Sequence, residues 1–94
     1  MNEKMKLMLE KLVDDYNNYS ELVALNYAKK KEGKFDEGTL QWNRGSKNRI
    51  EEYMLELADV MGVELEYKCG LHSFGFDDWK RNLEYRTVHI VKEG

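Results

Sequence analysis

An α+β domain in which two helices precede two antiparallel strands (ααββ order) is the fold class this 94-residue sequence predicts. Three features carry the prediction: an apolar stripe of helical period from Glu3 to Lys31, a second helical segment from Ser46 to Met61, and a change to alternation after Gly62. A long helix and a shorter one forming an antiparallel hairpin must bury their stripes against something, and a small antiparallel sheet packed on the hairpin supplies it.

In the first segment Met5, Leu9, Leu12, Tyr16, Tyr19, Val23 and Asn26 or Tyr27 recur at 4-3 spacing. That spacing lines one face of a helix of about 28 residues and some 40 Å. Met8, Val13, Leu22 and Leu25 widen the stripe beyond what one neighbour covers. The chain contains no proline, so nothing breaks the helix. So long a helix in so short a chain either wraps the other elements or offers part of its stripe to a second copy, and a homodimer is expected.

Glu32 to Gly38 reads as the connector, with Gly33 and Gly38 as breakers. Thr39 is placed to cap a short segment through Trp42, Gly45 to interrupt it, and Ser46 to cap the second helix. Gly62 falls where a left-handed residue ends that helix. Its buried side is expected to hold Ile50, Tyr53, Met54, Leu57, Ala58 and Met61, leaving Glu51, Glu52, Glu56 and Asp59 in water. Val63, Leu65, Tyr67 and Cys69 then alternate with Glu64, Glu66 and Lys68, the pattern of a half-buried strand. The second strand spans Tyr85 to Val91, where both alternating sets contain apolar residues and the buried face is not assigned. Between the strands lies a segment too long for a tight hairpin.

Composition bounds the function. With 41% hydrophobic and 35% charged residues, residues 1–94 fit one small domain. A chain of this size buries only about 60–65% of its unfolded surface, which excludes large multi-step enzymes. The N-terminal residues scatter charges among apolar positions and show no signal-peptide pattern. The longest uncharged apolar-rich run, Leu22 to Ala28, is seven residues, against the roughly 20 a bilayer requires. A single cysteine, Cys69, makes no intramolecular disulfide, so a cytoplasmic setting is expected and a membrane partner is not.

Charge is uneven along the chain: −2 over residues 1–28, +4 over 29–49, −6 over 50–66 and +1 over 67–94, for a net −3. Three candidate surfaces follow. The acidic face of the second helix, Glu51, Glu52, Glu56 and Asp59 with Glu64 and Glu66 beyond it, suits a basic partner. The interstrand segment carries His72, Phe74, Phe76 and Trp79, which either anchor a protein partner or fold inward to complete the core. The basic centre holds Lys29, Lys30, Lys31, Lys34, Arg44, Lys47 and Arg49 among Phe35 and Trp42. Of these, Trp42, Arg44, Lys47 and Arg49 are the alternative site, for nucleic acid or a nucleotide-like phosphorylated ligand, with Gly45 and Ser46 offering backbone N–H groups at a helix start.

Metal and catalytic readings are weaker. Cys69, His72 and His89, completed by Asp77 or Asp78, are zinc-type ligands without a second cysteine pair. Those residues with Ser73 are the only catalytic candidates, at no spacing that singles out a reaction, and the chain has no nucleophile-elbow, P-loop or dinucleotide motif. No cofactor, metal or catalytic residue is therefore expected. In size, acidity and lack of proline the chain looks like accessory proteins of bacteriophages and other mobile elements, including inhibitors of host defence systems. The expected function is that of a non-enzymatic interaction protein docking on a macromolecular partner.

Overall fold

The computed structural model describes residues 3–68 and 86–92. In them helix α1 (Glu3–Ala28) is followed by helix α2 (Glu37–Met61), strand β1 (Glu64–Lys68) and strand β2 (Thr87–Lys92), the ααββ order. The two helices pack as a hairpin, and β1 and β2 pair antiparallel. No described helix is long and apolar enough to cross a membrane.

α1 ends earlier than its apolar pattern suggests. After Ala28 the chain tightens into a 3-10 turn, Lys29–Glu32, and Gly33 at φ 71° returns N–H groups to the Lys29 and Lys30 carbonyls. That left-handed conformation strains any residue with a Cβ, which is why glycine stands there. The connector from that turn to the second helix is then only four residues, Gly33 to Asp36. Asn26, buried within α1, clamps it: its Nδ2 donates to the Asp36 carbonyl at 2.8 Å, and Asp36 N–H donates to its Oδ1 at 3.1 Å.

α2 corrects the expected helix start. Asp36, not Ser46, is the cap: its side chain accepts from Gly38 and Thr39 N–H at 3.0 and 3.3 Å. The helix runs unbroken through Gly45, and Ser46 lies buried inside it. The energetics explain this. A mid-helix glycine costs about 0.5–1 kcal/mol, whereas a break leaves up to eight backbone groups seeking new partners. Leu40 and Asn43 before Gly45, and Lys47 and Met54 after it, are all buried, so packing on both sides spans the weak point. Gly62 closes α2 at φ 69°, as its position predicts.

Two apolar clusters form the core. Leu9, Val13 and Tyr16 of α1 meet Met54 and Ala58 of α2, with Val63, just before β1, and Val88 of β2 completing the cluster. Val23, Ala24, Tyr27 and Leu40 form the second cluster near the connector, where Phe35 stacks on Tyr27 at 5.6 Å. Along both helices a polar layer of Ser20, Asn43, Ser46 and Lys47 separates them.

The sheet's buried face is now assigned. Leu65 pairs with Ile90 and Tyr67 with Val88 on the side facing the core, while Glu66 pairs with His89 on the solvent side. A bulge lies between the Glu64–Lys92 and Leu65–Ile90 pairs. A two-stranded sheet is marginal alone. Asn17 of α1 stabilises this one: its Nδ2 donates to the Val88 carbonyl at 2.9 Å and its Oδ1 accepts Val88 N–H at 2.7 Å. One side chain thus stands in for a third strand along the β2 edge.

Candidate functional site

The exposed side of α2 holds the acidic residues. Glu52, Glu56 and Asp59 follow each other at i, i+4 and i+7 and are solvent-exposed, so they form one row of carboxylates along a capped, rigid helix. Glu51, expected to join them, lies 100° around the helix and turns toward the sheet. It accepts from Tyr67 Oη at 2.8 Å and pairs with Arg86 at 3.1 Å. Glu64 and Glu66 are exposed on β1.

Glu51 belongs instead to a network that locks sheet to helices. Arg86 Nε donates to Tyr16 Oη at 3.2 Å, and the guanidinium lies 3.9 Å from the Tyr67 ring centre. Tyr16 and Tyr67 meet edge to face at 6.1 Å. Burial pushes the Tyr16 phenol above its ordinary pKa, and burial together with the bond to Glu51 pushes Tyr67 higher still. For Arg86 burial works against the charge, but the bonds to Tyr16 and Glu51 prevail and raise its pKa. Both phenols thus stay protonated at neutral pH, and Tyr67 keeps the proton it donates to Glu51. Sequence alternation placed Tyr67 on the inward face, but nothing in the sequence joined Tyr16, Asn17 or Arg86 to it.

The flank of the hairpin away from the sheet is a second feature. An open groove of about 640 Å³ runs between the helices, lined by Met8, Lys11, Leu12 and Asp15 of α1 and by Tyr53, Glu56, Leu57 and Val60 of α2. Tyr53, expected in the core, is 64% exposed here, with Met8 at 50% and Val60 at 69%. Core positions of α2 centre on Met54 and Ala58, which places Tyr53 and Val60 on the far side of that stripe. The widened stripe read from Met8 and Leu22 corresponds to this flank, and Leu22 continues it beside Asp15, Asn18 and Tyr19.

The alternative phosphate site does not assemble. Trp42 and Arg49 are exposed on one side of α2, whereas Lys47 is buried with its Nζ 4.9 Å from the Tyr16 ring centre. Arg44 turns toward α1 and donates to Tyr27 Oη at 2.8 Å. Because α2 starts at Glu37, Gly45 and Ser46 lie in the helix interior and present no helix N-terminus to an anion. Lys29, Lys30 and Lys34 are exposed around the 3-10 turn, and Lys30 Nζ lies 5.7 Å from the Phe35 ring centre.

His89 projects from the solvent face of β2, its Nε2 3.1 Å from Thr87 Oγ1. Among the described residues no three His, Cys, Asp or Glu side chains gather as a metal site. Cys69, His72, Ser73, Phe74, Phe76, Asp77, Asp78 and Trp79 lie outside the described residues. The chain matches no known protein family, no curated protein and no solved structure.

Proposed function

We propose that the protein is a non-enzymatic interaction protein that docks on a basic protein surface through Glu52, Glu56 and Asp59. The observation that supports this reading is the exposed row itself: three carboxylates in register on one line of a helix capped at both ends. Fixed charges of one sign raise association rate and select partners of opposite potential. A rigid carrier matters because little side-chain ordering remains to oppose binding. The reading sets the protein in a reducing cytoplasm, which suits its single cysteine.

A lysine-rich 20-residue peptide is the probe. Glu52→Gln with Asp59→Gln is expected to weaken binding about two- to thirtyfold at low salt, since each exposed pair contributes roughly 0.2–1 kcal/mol. Glu21→Gln with Glu32→Gln makes the same change in net charge at exposed positions outside the row and is expected to leave affinity unchanged. Equal losses in both double variants mean that net charge alone binds the peptide, and the row then has no special role.

A further inference from the structure

We propose that the connector end of the hairpin, residues 21–45, is a conformational unit that opens and closes while the end joined to the sheet stays folded. The buried residues between the helices divide at one level. Leu9, Val13, Tyr16, Met54 and Ala58 belong to one apolar cluster, and Val23, Ala24, Tyr27 and Leu40 to the other. Between Tyr16 and Val23 the only buried residue is Ser20, and between Leu40 and Met54 the buried residues are Asn43, Ser46 and Lys47. On α1 this polar stretch spans about 10 Å at 1.5 Å per residue. No buried apolar side chain belongs to both clusters.

The polar layer joins the two ends weakly. Ser20 is 0% exposed, and among the described residues its Oγ has no hydrogen-bond partner, so the closed state carries the cost of desolvating that hydroxyl. Opening at this level returns it to water. On α2 the layer coincides with Gly45, an interior helical position with nothing within 4 Å of a Cβ, where helix propensity is low. Each end also keeps its own polar ties. The sheet end has the Asn17 clamp on Val88 and the Arg86 bonds to Tyr16 and Glu51. The connector end has the Asn26 clamp on Asp36, the Asp36 cap, the Arg44 bond to Tyr27 and the stack of Phe35 on Tyr27. Segments with separate cores and separate ties open at different free energies. Opening of the connector end exposes Val23, Ala24, Tyr27 and Leu40. Glu52, Glu56 and Asp59 lie beyond Gly45 on the sheet side, so the acidic row keeps its geometry in both states.

Native-state hydrogen exchange of the whole chain, read amide by amide by NMR, tests this. Residues 23–28 and 40–44 are expected to show protection factors roughly tenfold or more below those of residues 9–16 and 54–58. Val13→Ala weakens the sheet end, which is folded in both the closed and the connector-open states. It is expected to lower protection of 9–16 and 54–58 about tenfold and to leave 23–28 and 40–44 unchanged. Ser20→Ala removes the unpartnered hydroxyl and is expected to raise protection of 23–28 and 40–44 about threefold or more. Equal protection at both ends of the wild type, or lower protection at the sheet end, overturns the proposal. So does a Val13→Ala variant that loses protection equally at both ends, or a Ser20→Ala variant that exchanges faster at the connector end.

Discussion

Asn17→Ala is the sharpest probe of how the sheet is held. The side chain makes two hydrogen bonds to one residue, accepting Val88 N–H at 2.7 Å and donating to the Val88 carbonyl at 2.9 Å. Val88 itself is 0% exposed. Truncation removes both bonds and leaves a backbone donor and acceptor against the core. Each such orphan costs about 1–3 kcal/mol, and since Asn17 is only half-buried, water recovers part of the loss, so about 2–4 kcal/mol in total is expected. For 94 residues a typical total stability is about 5–14 kcal/mol. The variant therefore loses a large share of it, and Tm falls by roughly 8–32 °C at about 4–8 °C per kcal/mol. Urea unfolding followed by far-UV circular dichroism measures the change, with Asn18→Ala, at an exposed neighbour, as a control expected within about 0.5 kcal/mol. A cost below about 1 kcal/mol, or equal to the control, refutes the idea that Asn17 closes the edge of β2.

Gly45→Ala should stabilise the protein by about 0.5–1 kcal/mol, because a Cβ there meets nothing within 4 Å and the backbone is helical; a higher urea midpoint at unchanged slope is the readout. Asp36 is held below the usual carboxylate range by hydrogen bonds from Thr39, with Gly38 N–H adding to them. Its folded pKa is lowered, so the stability it contributes is complete above the unfolded value near 3.9 and is lost as pH falls through the folded value. Asp36→Asn keeps a capping side chain without the titration, and its melting temperature should fall less steeply than wild type below about pH 4; parallel profiles reject this origin of the acid sensitivity.

The elements were legible because their signals are local. The 4-3 stripe of Met5 to Tyr27 and the alternation of Val63 to Tyr67 report periods of about 3.6 and 2 directly, and Gly62 marks a helix end at a φ that disfavours other residues. Errors arose where local preference and tertiary packing disagree. Gly45 and Ser46 resemble a break and a cap, yet Asp36 carries the cap because Asn26, ten residues earlier, holds its backbone in place. Tyr53 and Lys47 show the same limit. A tyrosine beside Met54 reads as core and a lysine beside Arg49 as surface, but rotation of α2 about its axis exposes the first and buries the second under Tyr16. That rotation is set by α1 and the sheet, information that no window along α2 contains. Glu51 leaves the acidic row for the same reason: its partners Tyr67 and Arg86 lie 16 and 35 residues away.

The positions of the anchors explain why, among the described residues, one flank of the hairpin carries no strand. Among the described residues the ties from the helices to the sheet, the Asn17 clamp, the Arg86 bond to Tyr16 and the bonds of Tyr67 and Arg86 to Glu51, lie on one side of the hairpin. A sheet of two strands is narrow, since neighbouring strands lie only about 4.8 Å apart. It can shield the side it touches but cannot wrap to the other. Beyond the polar layer of Ser20, Asn43, Ser46 and Lys47, the second cluster is closed, among the described residues, by Phe35 and the Asn26 clamp. Along the open side α1 carries Met8, Leu12, Tyr19 and Leu22, interrupted by Lys11, Asp15 and Asn18. Widening the sheet would cover the wrong face, and a longer connector would reach only the far end. Met8, Leu12, Tyr53, Leu57 and Val60 are thereby left without a strand over them among the described residues, with Lys11, Asp15 and Glu56 along the same groove.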